Sequence, residues 1–171
     1  DAVLRDWFML QNPEYEKPVT IEERDDRTGY YRIYDVYDEN FIGTLFNANA
    51  SGLCIDKTYM YIDATDPEKV WIPTFQTGAI FSPSYGMTSI GSYVVENSND
   101  FDASIASVYG TLKEGIIEFP YGSLEMKLEM MGWYPTNSAG LHRIILPGYQ
   151  ATEYTMSVEP GVSDQYGNLS V

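Results

Sequence analysis

The chain has 171 residues, with 25 acidic and 10 basic side chains and a formal net charge of −15. Binding to a polyanion depends on clustered lysine and arginine, and the sequence has no such cluster, which argues against nucleic acid and anionic lipid headgroups as partners. The apolar content of 44% excludes a disordered acidic tail. No apolar run is long enough to form a membrane-spanning helix.

The N-terminal segment predicts one short helix. Val3, Leu4, Trp7 and Phe8 recur at the spacing of a single helical face. The Asn12-Pro13 pair is expected to end this helix. After it, the hydrophobic pattern changes to a period of two, which is typical of strands.

Two hairpins are predicted in the first half of the chain. Strands over residues 19–21 and 30–36 flank a polar turn at residues 25–29. Strands over residues 59–63 and 69–73 flank a turn that contains proline. Each pair is expected to be antiparallel because its connection is short.

The second half continues the same pattern. Residues 86–95 read as extended, and residues 107–112 are expected to pair with residues 116–119 across a tight turn. Residues 123–131 contain good helix formers, but apolar and charged side chains alternate strictly there, which favours a strand. Residues 141–146 form the last predicted strand.

About ten short strands with polar turns and no intervening helices predict an all-β, antiparallel fold. Periodicity does not distinguish a sandwich from a partly open barrel. Residues 1–150 are expected to form this β-rich domain. Residues 151–171 read as a linker and the truncated start of a following β domain, since turn-forming residues precede a strand that has just begun.

Several motifs resemble a recurrent module of uncharacterised surface lipoproteins of gut Bacteroidetes, over most of residues 10–148. The motifs are Gly29-Tyr30-Tyr31-Arg32-Ile33-Tyr34 within residues 15–37, Tyr61-Ile62-Asp63-Ala64-Thr65-Asp66-Pro67-Glu68-Lys69-Val70-Trp71-Ile72-Pro73, Gly110-Thr111-Leu112-Lys113-Glu114-Gly115-Ile116-Ile117-Glu118-Phe119-Pro120 and Ile144-Ile145-Leu146-Pro147-Gly148. The resemblance implies an extracytoplasmic, all-β protein held at the cell surface by a lipid anchor upstream of Asp1. It implies no reaction and no catalytic residues, and it identifies the following domain as immunoglobulin-like.

The single cysteine and the single histidine limit the possible chemistry. Cys54 has no partner for a disulfide within the chain, and its apolar neighbours predict a buried, unreactive thiol. His142 lies in a predicted strand, and no nucleophile elbow accompanies it. We therefore expect neither a catalytic triad nor a zinc site, and no cofactor.

Calcium is the one metal that the residue types suit. Asn97, Asn99, Asp100 and Asp102 are weak candidates because they crowd one predicted loop with oxygen ligands. They do not follow the spacing of the twelve-residue calcium loop. Asparagine and aspartate are also ordinary turn formers, so we favour a loop without metal.

Aromatic residues supply the candidate binding site. The chain contains 15 tyrosines, 7 phenylalanines and 3 tryptophans. Alternation places Trp71 on the face opposite Val70 and Ile72, and Trp133 and Tyr134 come where a strand is expected to give way to a loop. These three residues are the candidate ligand contacts. The alternative is that each tryptophan fills the end of the core beneath a loop.

Three functions remain open. The first is a non-catalytic, monomeric recognition module that binds a glycan or a host protein through exposed aromatic residues. The second is a structural spacer, which would bury these residues. The third is a glycoside hydrolase with a pair of carboxylates. We favour the first. The hydrolase is disfavoured because most acidic residues lie in predicted turns, where burial does not raise the pKa of a general acid.

Overall fold

The structure is a computed structural model that describes residues 1–5, 7, 16–37, 58–78, 80, 82–97, 108–136 and 142–148. The described chain is all-β and antiparallel, as predicted, and its short strands form three open sheets with a single turn of helix. The strands are β1 (Ala2–Arg5), β2 (Glu16–Val19), β3 (Ile21–Glu23), β4 (Tyr30–Tyr34), β5 (Tyr59–Asp63), β6 (Phe75–Gln76), β7 (Thr88–Gly91), β8 (Thr111–Lys113), β9 (Ile116–Phe119), β10 (Glu125–Leu128), β11 (Gly132–Pro135) and β12 (His142–Ile145). The helix is α1 (Tyr93–Glu96).

The predicted N-terminal helix is wrong where the structure describes it. Ala2 and Leu4 are fully buried on one face of β1. This strand lies between β2 and β12, with Leu4 opposite Ile144. Pairing on both sides satisfies the backbone of so short a segment better than an isolated helical turn can. Phe8 and Pro13 lie outside the described residues.

The five-stranded sheet has the order β2-β1-β12-β9-β8. The predicted pairing of β8 with β9 is confirmed, with Lys113 opposite Ile116. Glu114 and Gly115 between them have φ of 52° and 77°. A two-residue turn with positive φ at both positions matches the right-handed twist of the strands that it joins.

The four-stranded sheet has the order β11-β10-β7-β6. The strand predicted over residues 123–131 is confirmed as β10, although it ends at Leu128, and Met130 lies exposed in the following turn. The alternation in the sequence predicts that the charged side chains of this strand are exposed, but Glu125 is buried. The extended segment predicted over residues 86–95 is correct only as far as Gly91, since α1 begins two residues later.

The three-stranded sheet has the order β3-β4-β5. The first predicted hairpin is confirmed, with Ile21 opposite Ile33. The second is reduced to one bridge between Asp63 and Trp71, and β5 pairs along its whole length with β4.

One hydrophobic cluster receives side chains from all three sheets. Its fully buried members include Leu4, Ile33, Met60, Ile62, Ile90, Phe119 and Ile144. The three sheets therefore share a core. The predicted domain boundary after residue 150 lies outside the described residues. No helix of the described chain is long and apolar enough to cross a membrane.

Candidate functional site

An exposed cluster of tyrosines covers the outer surface of the three-stranded sheet. Tyr30, Arg32 and Tyr34 alternate along β4, and Tyr59 and Tyr61 alternate along β5. Arg32 lies opposite Tyr61, and Tyr34 lies opposite Tyr59, so all five side chains project from one face. We call this surface the tyrosine face. The opposite face of the sheet supplies Ile33, Met60 and Ile62 to the core.

The tyrosine rings form a continuous series. The ring centroids of Tyr34 and Tyr59 are 4.9 Å apart, those of Tyr59 and Tyr61 are 6.0 Å apart, and those of Tyr61 and Tyr30 are 5.9 Å apart. Neighbouring planes are inclined by 31–45°. Tyr34 is 48% exposed and Tyr61 is 36% exposed, whereas the other two rings are half-buried. The series therefore offers two accessible aromatic rings.

Arginine side chains cover the two half-buried rings. The Cζ atom of Arg32 lies 4.3 Å from the centroid of Tyr59, and that of Arg27 lies 4.4 Å from the centroid of Tyr30. A guanidinium over an aromatic face is held by the ring quadrupole as well as by packing. These stacks restrict the rings that they cover, so the tyrosine face is ordered before any ligand arrives.

A carboxylate holds each of these two arginines in place. Glu22 Oε1 accepts from Arg32 Nε at 2.5 Å, and Asp63 Oδ2 accepts from the guanidinium of Arg27 at 2.9 Å. Two side-chain hydrogen bonds raise the pKa of Arg32. The bond to Glu22 has the larger effect, and the bond to Tyr61 has the smaller one. Arginine is protonated in proteins irrespective of this shift, so Arg32 presents a positive charge to the tyrosine face.

Two depressions flank the tyrosine face. The first, of about 530 Å³, lies beside Tyr30, Arg32 and Tyr61. The second, of about 460 Å³, lies beside Tyr34 and Tyr59. Carboxylates line both: Glu22, Glu23 and Asp25 in the first, and Glu22 and Asp35 in the second. Aromatic surface and hydrogen-bonding groups therefore adjoin each other on both sides.

The turn before β4 aligns this face. Gly29 has φ of +86°, and a Cβ atom there would lie 2.6 Å from the carbonyl oxygen of Ala64. Its amide donates to Glu23 Oε2 at 2.9 Å, and its carbonyl accepts from the Ala64 amide at 2.8 Å. Only glycine combines this conformation with so close an approach. The contact joins the start of β4 to the end of β5.

Trp71 lies between two core residues of the chain. Val70 and Ile72 are fully buried, and Trp71 is half-buried on the other side. Its amide donates to the carbonyl of Asp63 at 3.1 Å, and its carbonyl accepts from the Asp63 amide at 2.9 Å. Trp71 thus borders β5, the strand that carries Tyr59 and Tyr61.

Trp133 and Tyr134 lie within β11 rather than at a strand end. The ring of Trp133 packs on Tyr93, with centroids 4.3 Å apart, and Lys127 Nζ lies 5.8 Å from the Trp133 centroid. Tyr134 is 39% exposed, and its hydroxyl donates to the carbonyl of Met131 at 2.9 Å. These two residues belong to the four-stranded sheet, whereas Trp71 bridges to the three-stranded sheet.

Of the calcium candidates, only Asn97 is described. It is exposed at the end of α1, where its amide and its Nδ2 both donate to the carbonyl of Tyr93. Asn99, Asp100 and Asp102 lie outside the described residues, as does Cys54. Among the residues that are described, no three acidic, histidine or cysteine side chains form a group that could hold a metal.

His142 belongs to the core. It is 3% exposed, its Nε2 lies 2.9 Å from Thr136 Oγ1, and its ring centroid is 5.3 Å from that of Trp7. These contacts give the histidine a packing role. Asp63, a buried carboxylate, is held by Arg27 and by the amide and hydroxyl of Thr65.

Comparison with protein-family models, with curated proteins and with solved structures found no match to this chain. The interpretation of the tyrosine face therefore depends on its own geometry. The sequence did carry a signal for it, since the alternation Tyr30-x-Arg32-x-Tyr34 and Tyr59-x-Tyr61 lies on two predicted strands. The sequence-based analysis missed it because it paired the second of these strands with residues 69–73.

Proposed function

We propose that this chain is a non-catalytic recognition module that binds a glycan on the tyrosine face. The observation that carries the proposal is the pair of exposed rings, Tyr34 and Tyr61, on a sheet whose opposite face supplies Ile33, Met60 and Ile62 to the core. An aromatic ring offers a flat apolar surface on which the C–H face of a sugar can stack. A site on paired strands also holds its contacts in fixed positions better than a site on a loop.

The polar groups beside the rings support a carbohydrate ligand. Sugar hydroxyls both donate and accept hydrogen bonds, so they pair with carboxylates as well as with guanidinium groups. Glu22 and Arg32 present both types of group next to Tyr61. Apolar surface together with a few convergent polar groups is the usual composition of a small-ligand site.

The same proposal places the chain outside the cytoplasm, as part of a lipid-anchored surface protein. The support for this location is the resemblance of its motifs to surface lipoproteins of gut Bacteroidetes. We further propose that the module acts as a monomer and binds no nucleic acid, in keeping with its net charge of −15.

The test is a screen of the full chain against immobilised glycans, repeated with Tyr34→Ala and Tyr61→Ala. Each variant should weaken binding about tenfold or more while changing the free energy of unfolding by only about 0.5 kcal/mol, as expected for a surface position. Tyr85→Ala is the matched control, since Tyr85 is 38% exposed but lies outside the three-stranded sheet. It should leave binding unchanged.

Three outcomes would contradict the proposal. Retention of a host protein without any glycan would assign the face to protein recognition. Absence of any ligand would favour a spacer, and shortening of a bound glycan would show a hydrolase. Trp71→Ala and Trp133→Ala belong in the same series, because loss of binding in these variants alone would move the site to the tryptophans.

A further inference from the structure

The arginines beside the tyrosine face are already paired with carboxylates. Arg32 is bonded to Glu22, Arg27 to Asp63, and Arg24 to Asp26, with the Arg24 Nε to Asp26 Oδ1 distance at 2.6 Å. Lys17, at the second depression, also has an interaction of its own. A ligand that carries a negative charge must displace one of these carboxylates or share a cation whose charge is already balanced. Both choices cost binding free energy.

Further carboxylates surround these pairs. Glu23 and Asp25 are exposed at the first depression, and Asp35 lies at the second. The whole chain adds a net charge of −15. At low ionic strength this field acts over tens of ångströms and lowers the local concentration of anions.

The two exposed rings set the minimum size of the ligand. The ring of Tyr59 contacts both Tyr34 and Tyr61, and Arg32 is stacked on it. A ligand that stacks on both exposed rings must therefore cross the Arg32–Tyr59 stack. A single sugar ring covers one tyrosine, so such a ligand contains several sugar units.

From these observations, and resting on the proposed function, we infer that the tyrosine face selects uncharged oligosaccharides and rejects those that carry carboxylate or sulfate groups. The uncharged chain stacks on Tyr34 and Tyr61, and its hydroxyls bond to Glu22 and Arg32 without separating that ion pair. A uronic acid or a sulfate ester at the same position faces Glu22 and Glu23.

The test uses pairs of probes that differ only in charge. Immobilised hexasaccharides of glucose, mannose and galactose are compared with the same hexasaccharides after oxidation of C6 to a carboxylate, and with the methyl esters of those carboxylates. The full chain should bind a parent sugar and its ester alike, and should bind the carboxylate about tenfold more weakly at about 0.01 M salt. This difference should shrink at about 1 M salt, where charges are screened within a few ångströms.

Glu22→Gln supplies the matching change in the protein. It removes one carboxylate and leaves the charge of Arg32 without its ion-pair partner, so binding of the oxidised sugar should increase about tenfold. Glu114→Gln is the control, because it changes the net charge equally but lies in the exposed β8–β9 turn. It should leave the preference unchanged.

The possible failures are distinguishable. Equal or stronger binding of the carboxylate sugars by the unaltered chain would overturn the charge selectivity while leaving glycan recognition intact. Equal effects of Glu22→Gln and Glu114→Gln on the preference for uncharged sugars would also overturn the charge selectivity, because this preference would then come from net charge alone. Failure to retain any parent, ester or carboxylate sugar would instead reject the proposed function.

Discussion

A buried hydrogen bond joins Trp7 to Tyr37. Trp7 Nε1 donates to Tyr37 Oη at 3.0 Å, and both residues are almost fully buried. Tyr37→Phe removes the acceptor and leaves the indole donor in apolar surroundings. We expect a loss of about 1–3 kcal/mol in the free energy of unfolding, measured by denaturant titration.

Tyr134→Phe is the control for this prediction. The Tyr134 hydroxyl, unlike that of Tyr37, is the donor in its hydrogen bond to the carbonyl of Met131, and it lies at an exposed position where water can replace this bond. Its removal should cost no more than about 0.5 kcal/mol. Equal losses in the two variants would show that burial does not determine the contribution of the Trp7–Tyr37 bond.

Burial also makes the contribution of Tyr37 depend on pH. Desolvation raises the pKa of Tyr37 above its ordinary value. The hydrogen bond from Trp7 lowers this pKa, but by a smaller amount. The unfolded chain ionises this tyrosine near pH 10, whereas the folded chain keeps it protonated. Its stabilising effect is therefore complete below about pH 10 and decreases above it, by up to about 1.4 kcal/mol per pH unit.

The measurement compares unaltered chain and Tyr37→Phe at about pH 9 and about pH 11. The free energies of unfolding of the unaltered chain and of Tyr37→Phe should differ more at the lower pH. Only the unaltered chain loses the Tyr37 contribution as the pH rises. A difference that is the same at both values would show that Tyr37 ionises equally in the folded and unfolded chains.

At the scale of elements, the turn between β3 and β4 determines whether the tyrosine face forms. Gly29→Ala places a methyl group against the backbone of Ala64 and also strains a residue with positive φ. Gly148 has nearly the same φ, +88°, but open space around it. Gly148→Ala therefore measures the conformational strain alone, about 1–2 kcal/mol.

Gly29→Ala should destabilise the protein by about 1–3 kcal/mol more than Gly148→Ala does, since overpacking adds to the strain. Thermal and chemical denaturation of the two variants test this. The Gly29→Ala protein should also bind the glycan more weakly, because β4 and β5 are joined at this contact. Equal stability of the two variants would mean that Ala64 moves aside without cost.

At the scale of the whole molecule, the first strand lies inside a sheet. Strand β1 has β2 on one side and β12 on the other, and Ala2 and Leu4 are fully buried. Deletion of residues 1–5 removes both sets of hydrogen bonds and opens the core. We expect the deletion variant to lose its cooperative thermal transition.

Truncation after residue 150 is the contrasting change. The sequence predicts that residues 151–171 begin another domain, so their removal should shift the melting temperature by only a few degrees, at about 2–4 °C per kcal/mol. Circular dichroism during heating would measure both variants. A large loss of stability on truncation would show that the tail belongs to the main domain.

The sequence by itself determined the class of fold and two of its local pairings. Alternating side chains and turn-forming residues identified the β3–β4 and β8–β9 hairpins and the strands β10 and β12, because a hairpin joins neighbours in the chain and its turn specifies its register. The same alternation placed Val70 and Ile72 in the core. These features depend only on residues close together in the sequence.

Tertiary structure alone decided which distant strands are neighbours. Leu4 has the spacing of a helix, but pairing of its strand with β12 makes it part of a sheet. Strand β5 pairs along its whole length with β4 and meets residues 69–73 only at the Asp63–Trp71 bridge, and the pairing with β4 brings Tyr59 and Tyr61 beside Arg32 and Tyr34. Periodicity defines the two faces of a strand but not its partner, because the partner is selected by burial of the shared core.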